Sequence, residues 1–320
     1  MNLIKKKYGI GLDLGGSSLK YALIDNEGNI VKENKRNSLA DEKKSIILTN
    51  ISEAIIEMKK YATAKDIEPV VVGFGTPGSV DIKKGYLLGS TPNFKYWREV
   101  RIVEELQKTI NLPVFIDNDA NLMAIAEASY GAGRGFKNII CITVGTGIGG
   151  AIIINGELYR GFRYAGAELG HMSIKYDGVP CNCGGAGCLE RYASASAMTR
   201  NFAKYCKENN IEIPEKKLNV KYIFDQYNKG NRIAEKTIEE SVYFLGRGIA
   251  NFINIFNPEI IIIGGGVADA GDIYINKVKE ITWHYAMDEA KKKVKLVRAK
   301  LGNKAGCLGA VKFAFDNIKS

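Results

Sequence analysis

The residues of this chain of 320 amino acids that could do chemistry fall in a few places. His171 is followed, within one glycine-rich stretch, by Cys181, Cys183 and Cys188. One imidazole and three thiolates make the donor set of a closed tetrahedral zinc site, and four protein ligands leave no position for a nucleophilic water, so the zinc expected here is structural. The C-x-C spacing could instead be redox-active, but the usual cytosolic redox form, C-x-x-C, is absent. Glu168 lies one helical turn before His171, and Glu190 follows the last cysteine of the set. Both carboxylates could accept hydrogen bonds from hydroxyls in one pocket, although either alone reads as a surface residue.

Two glycine-rich loops offer backbone donors. At Gly15, Gly16 and Ser17, and again at Gly145, Thr146, Gly147 and Gly149, the N–H groups can approach phosphate oxygens because few Cβ atoms intervene. Each loop taken singly also reads as a tight strand turn. Asp13 precedes the first loop, where a carboxylate would repel a phosphate unless a divalent cation stood between them. It is therefore a candidate Mg²⁺ ligand, directly or through water. In NDAN, Asn118 and Asp119 stand between the strand-like PVFI and a helical stretch. That is an N-cap position, worth about 1 kcal/mol, and it is also a place where a helix N-terminus would hold a carboxylate ionised.

The elements that must carry these residues alternate. YGIGLDL from Tyr8 reads as a strand, breaks at the first glycine loop, resumes as LKYALID, turns at NEGN and continues as IVKE. NIICITV from Asn138 follows the same plan: it breaks at GTGIGG, resumes as AIII, turns at Asn155-Gly156 and continues as ELY. This is a duplicated unit with one specialised loop per lobe, and the loops are expected to face a shared cleft. Helical patterns over residues 45–61 and 99–110 alternate with the strands PVVVGF and PVFI, which implies an α/β sheet. Beyond the second copy, helices are expected over 195–207, 231–256 and 272–286, with EIIIIGGG from Glu259 as a strand before the last of them. The boundary is placed near 112–118, giving a small N-terminal lobe (1–117), rejoined by about 306–320, and a larger lobe (118–305) that carries the zinc loop.

Composition excludes several classes. Apolar residues make up 46% and charged residues 25%, as in soluble globular proteins. No apolar run is long enough to span a membrane, and MNLIKKKYGI lacks the features of a signal peptide, so a cytoplasmic protein is expected. The excess of 45 Lys and Arg over 35 Asp and Glu would suit a polyanion. The lysines, however, are scattered without interleaved aromatics, which reads as a solvated surface and not a nucleic-acid site. Gly73, Gly75 and Gly78, and Gly145, Gly147 and Gly150, match G-x-G-x-x-G literally, but neither run opens a helix that could receive a pyrophosphate. A Rossmann dehydrogenase is rejected, and no Walker A loop is present. Cys141, Cys206 and Cys307 read as buried fillers, and His284 as packing or surface.

DLGGSSLK, GFGTPGSVD, TPNFKYW, NDANLMAIAE, TVGTGIGGA, ELGH, CNCGGAGCLE and IIIGGGV, in that order and spanning about the whole chain, resemble the successive motifs of the ROK family of sugar kinases. The resemblance implies a two-lobed, actin-like (ribonuclease H-like) ATPase fold with a central cleft, ATP as phosphoryl donor, and lobe closure around a sugar. It makes Asp119 the general base and assigns Asn118, Asp119, Glu168, His171 and Glu190 to the sugar, His171 presenting its second ring nitrogen while bound to zinc. Gly264, Gly265 and Gly266 correspond to the family's adenosine element. Glucose, phosphorylated at its 6-hydroxyl, is the expected substrate, with N-acetylmannosamine, N-acetylglucosamine and fructose as alternatives, and a homodimer is the expected assembly. Some ROK proteins are sugar-sensing regulators, but the stretch before Tyr8 is too short for a helix-turn-helix. Ser17 replaces the usual threonine, Ala151 an often-glycine position, and Lys304 a common acid.

Overall fold

In the computed structural model, which describes residues 6–89, 94–213 and 218–318, Lys5 and the Thr91, Pro92 and Asn93 of TPNFKYW lie outside the described residues. The alternating run from Tyr8 forms β1 (Tyr8–Leu14), turns over residues 15–17 and returns antiparallel as β2 (Ser18–Asp25), and β3 (Ile30–Asn37) completes the meander. Parallel strands β4 (Pro69–Thr76) and β7 (Val114–Asn118) extend the sheet in the order β3-β2-β1-β4-β7. Helix α1 (Lys44–Thr63) packs on this sheet through Ile47, Ile51, Ala54, Ile55 and Met58, the spacing of one helical face. A short hairpin of β5 (Val80–Asp81) and β6 (Tyr86–Leu87) and the helix α2 (Ile102–Gln107) precede β7, and α3 (Asp119–Tyr130) follows it directly.

The C-terminal helix α10 (Ala305–Asn317) lies on β1, β4 and α3 with almost nothing between the backbones. A methyl group on Gly11 would stand 2.3 Å from the Cys307 carbonyl oxygen, one on Gly73 1.9 Å from that of Ala310, and one on Gly309 1.8 Å from that of Leu122. The literal G-x-G-x-x-G at Gly73 is therefore a packing device. Gly75 makes room for Leu122, and Gly78 takes the left-handed φ of 96° that starts the β5 hairpin. The wholly buried Glu127 fastens the return of the chain, accepting the N–H of Leu301 at 2.8 Å and that of Ala132 at 2.8 Å.

A second sheet repeats the plan. Strands β8 (Ile139–Val144), β9 (Ile148–Ile154) and β10 (Glu157–Tyr159) form its meander, and parallel β11 (Ile260–Gly264) and β12 (Lys295–Arg298) extend it in the order β10-β9-β8-β11-β12. Asn155 and Gly156 both take positive φ, 54° and 86°, as a two-residue hairpin turn requires. Around this sheet come α4 (Glu190–Ala193), α5 (Ala195–Glu208), α6 (Val220–Asn228), α7 (Arg232–Phe256), α8 (Asp272–Tyr285) and α9 (Asp288–Lys291). Gly246 and Gly248 bring α7 close to Ile281 and Leu189.

Two units result, each with its own core. One comprises Met1–Gly135, Leu158–Gly166 and Leu301–Ser320, the other Phe136–Glu157 and Ala167–Lys300. The division thus falls after α3 and not at 117/118, because α3 packs on α10 and stays with the first sheet. Among the described residues no helix is long and apolar enough to cross a membrane. Cys141, Cys206 and Cys307 are buried, while His284 is exposed beside Tyr285.

Gly73→Ala should lower unfolding stability by about 2–3 kcal/mol, because the added methyl meets backbone and not a side chain that can swing away; urea denaturation of the purified variant measures this. Gly145→Ala, where a methyl meets nothing within 4 Å, should leave the denaturation midpoint unchanged.

Candidate active site

In the first unit, β1, β4 and β7 run parallel and end at one edge of the sheet, with Asp13 opposite Gly75 and Gly75 opposite Asp117. The glycine turn after β1 and the start of α3 after β7 thus share an edge two strand spacings, about 10 Å, apart. Asn118 is the helix cap: its side-chain oxygen accepts the N–H of Ala120 at 2.9 Å and of Asn121 at 3.3 Å, while Nδ2 donates to the Gly78 carbonyl at 3.1 Å. Capping therefore does not depend on Asp119, the first helical residue, whose Oδ1 accepts the N–H of Ala120 at 2.8 Å. Asp119 is half-buried at the edge that the strand ends form.

Asp117, just before these two residues, carries a partnership that the sequence did not disclose. It is 1% exposed, and its Oδ2 accepts two hydrogen bonds from Arg160, from Nε at 3.0 Å and Nη2 at 2.6 Å. Arg160 belongs to the stretch that follows β10 and packs with the first unit.

Asp13 sits against the first turn of α10, where a methyl on Gly306 would fall 2.4 Å from its Cγ. Burial pushes the Asp13 carboxyl above the ordinary range; Lys20, with Nζ 4.0 Å from Oδ2, opposes this. A carboxylate so placed, with one distant cation, is chemically suited to a divalent ion. Burial, reinforced by the Asp13 charge, also holds the Cys307 thiol well above its usual range. The turn is braced from behind by Ser38, whose hydroxyl donates to the Gly16 carbonyl at 2.8 Å, leaving Gly16 and Ser17 exposed. Lys304 lies exposed in a short 3₁₀ turn, and nothing in the structure explains its charge.

The second unit gathers the remaining candidates. Its glycine loop follows β8, and Gly264 ends the adjacent parallel strand β11 opposite Thr143, with Gly265 and Gly266 following it. Gly265 has φ 88°, and a methyl there would stand 2.5 Å from the Val144 carbonyl oxygen; Gly145 and Gly266 open onto free space. Ala195, at the start of α5, donates its N–H to the Gly145 carbonyl at 2.8 Å, and Gly149 donates to Thr143 Oγ1 at 3.2 Å, while Thr146 is exposed at the tip. Glu190 grips the same loop: Oε2 accepts the N–H of Ile148 at 2.9 Å, and a methyl on Gly147 would fall 2.2 Å from that oxygen.

Glu168 starts the 3₁₀ turn that carries His171, which donates its N–H back to the Glu168 carbonyl at 3.0 Å. Its side chain reaches solvent, yet the surrounding protein pushes its carboxyl upward; His171 opposes that rise and Glu190 adds to it.

His171 Nδ1 lies 3.6 Å from Cys181 Sγ, Cys183 Sγ lies 3.5 Å from Cys188 Sγ, and the four donor atoms all fall within 4.8 Å of one another. Zinc bound at about 2.3 Å to sulfur and about 2.0–2.1 Å to nitrogen needs tetrahedral edges of about 3.4–3.8 Å, so the group could hold that ion. Burial and the neighbouring Cys183 and Cys181 push Cys188 up to about 12, whereas the Gly185 N–H and the other two thiols lower the exposed Cys183.

The chain matches the ROK family over residues 9–317. It is a member of the ROK family. This member is 37% identical to a glucokinase of Thermotoga maritima over 97% of its own length and 98% of that protein. It is 30% identical to the xylose repressor of Caldicellulosiruptor bescii, over 97% of its own length and 79% of the repressor. The solved ROK glucokinase of Streptomyces griseus, in complex with glucose and AMPPNP, superposes with a TM-score of 0.84 at 30% identity, covering 97% of this chain and 100% of that one. The fold is thus the two-lobed, actin-like one of ROK sugar kinases, with the strand plan present twice.

In metal-free protein near neutral pH, iodoacetamide should modify Cys183 well before Cys188, since alkylation follows the thiolate fraction. Time-resolved peptide mass mapping reads the order.

Proposed function

We propose that this ROK protein is an ATP- and Mg²⁺-dependent hexokinase whose preferred reaction is phosphorylation of glucose at its 6-hydroxyl. The observation that carries the reading is the end-to-end likeness to glucokinases in a chain that keeps a carboxylate, Asp119, at the strand edge shared with the Gly15 turn. The sugar is assigned to Asn118, Asp119, Glu168, His171 and Glu190, and the nucleotide to Gly15, Gly16, Ser17, Gly145, Thr146, Gly147, Gly149, Gly264, Gly265 and Gly266.

Asp119 orients the 6-hydroxyl and takes its proton as the oxygen bonds to the γ-phosphorus and the bond from that phosphorus to the bridging β,γ oxygen breaks, releasing ADP. In a loose transition state the proton leaves late, so a carboxylate of ordinary basicity suffices when it is well placed. The amides of the two glycine loops cradle the phosphates. Mg²⁺, held by Asp13 directly or through water, would neutralise phosphate charge there. Because His171 Nδ1 faces Cys181, its Nε2 edge is left for a sugar hydroxyl, and a zinc held by His171, Cys181, Cys183 and Cys188 would fix the ring's orientation. Glu168 and Glu190 accept hydrogen bonds from further hydroxyls.

We further place the protein in the cytoplasm, as a homodimer. An aromatic face on α7 and α8, where Arg247 lies 4.0 Å over the exposed Tyr285 and 5.7 Å over the exposed Tyr243, supports the assembly.

Assayed against glucose, fructose, N-acetylglucosamine and N-acetylmannosamine, the protein should give its highest kcat/KM with glucose; a faster N-acetylated sugar overturns that assignment. Asp119→Asn should lower kcat by about 10²–10⁴-fold while calorimetry finds glucose binding retained, and preserved turnover would remove Asp119 from its role. Chelation of the metal should release zinc and weaken glucose binding along with lowering the melting temperature. Undiminished glucose affinity in the zinc-free protein would end the shared duty of His171.

A further inference from the structure

Asp117 spends every side-chain contact on holding something in place. Oδ1 accepts the backbone N–H of Asn118 at 2.7 Å and Nδ2 of Asn121 at 3.0 Å, and Oδ2 accepts Nε and Nη2 of Arg160 at 3.0 and 2.6 Å. Both oxygens are thus engaged by four donors, two residues from the proposed base. The contacts of Asp117 span the turn that carries Asn118 and Asp119, from the residue before the cap to the first turn of α3.

Arg160 is held as firmly. Its guanidinium lies 5.3 Å over the ring of Phe313 on α10 and is largely buried against Asp117. The chain around it forms a closed loop. Gly166 donates its N–H to the Arg160 carbonyl at 2.9 Å, and Gly161 and Gly166 face each other so closely that a methyl on either would stand about 3 Å from the other's nitrogen. Gly161, Tyr164 and Ala167 all take positive φ, at 73°, 59° and 63°, which costs energy at the two non-glycine positions. The loop ends one residue before Glu168. Burying an ion pair gives little net stability compared with apolar side chains of the same volume, so this pair is best understood by what it orients.

We infer that Arg160 and Asp117 are positioning residues for phosphoryl transfer: the buried pair sets the turn that presents Asn118 and Asp119, and pins to it the loop that leads into Glu168. This rests on the kinase reading given above. Neither residue touches the reacting atoms. Arg160 acts through Asp117, and its fork of two donors to one oxygen, laid over a ring, is a geometry that a lysine ammonium cannot reproduce while keeping the charge.

Arg160→Lys tests the inference in the full-length protein, by steady-state kinetics with glucose and ATP and by hydrogen exchange of the amides of residues 118–121. The expected result is a fall in kcat of about 10- to 100-fold, the size a misplaced catalytic group produces, with KM for ATP unchanged and faster exchange at those amides. The double variant Asp117→Asn with Arg160→Gln, which leaves no unpaired charge buried, should fold and show the same kinetic split. A kcat for Arg160→Lys equal to that of the parent overturns the inference. Should the parent phosphorylate no hexose, the kinase reading fails by itself, and the exchange measurement still decides the positioning: unaltered protection of residues 118–121 in Arg160→Lys overturns it.

Discussion

The first unit depends on one constraint, that α10 lies on the central strands at backbone-to-backbone distance at Gly11 and Gly73. Gly11 and Gly73 on the sheet let carbonyl oxygens of α10 come up against their Cα atoms, and Gly309 on the helix does the same for the Leu122 carbonyl of α3. Everything chemically interesting in that unit follows from the approach. It brings Gly306 against Asp13, so the carboxylate meets the positive end of a helix instead of bulk water. It carries Phe313 under Arg160 and seats Leu122 of α3 beside Ala310. A helix standing off by one methyl would loosen all three contacts together.

The acidic groups gathered around this framework are given different surroundings, and their chemistry diverges accordingly. Asp117 has two arginine nitrogens and two further donors, and is committed to structure. Asp13 has Lys20 at 4.0 Å, and burial holds its carboxyl up. Glu127, wholly buried, receives two backbone N–H groups and serves as a fastener. Burial raises the Glu168 carboxyl, with Glu190 adding to the rise and His171 opposing it. Neighbours, more than residue type, separate the carboxylates that hold the protein together from those with charge left to offer a ligand.

Much of this was legible in the sequence because it is local. The two meanders, the Asn155-Gly156 turn and the Cys–His group depend on residues near one another in the chain, where period and spacing speak directly. The parallel strand β12 and helix α6 were not anticipated, since a four-residue strand with three exposed or half-exposed positions and a short helix with one buried residue leave little pattern. The end of the first unit was set too early because α3 looks like the start of something new, and only its packing on α10 assigns it. Capping and catalysis, which competed for Asp119 in the sequence, separate once Asn118 is seen to cap. The Asp117–Arg160 pair joins residues 43 positions apart with no motif around the arginine, so its only sequence signal was an acid immediately before NDAN.

The repeated strand order has a consequence for polarity. Superimposed strand on strand, the two meanders place Asp13 and Thr143 at matching penultimate positions, ahead of their glycine turns. In one copy the position bears a negative charge; in the other a hydroxyl is spent on the Gly149 amide of its own hairpin. One strand plan thus carries two chemistries: the first unit's turn follows a carboxyl group, the second unit's a hydroxyl already bound within its own hairpin, so two turns alike in backbone differ in the ligand charge each favours.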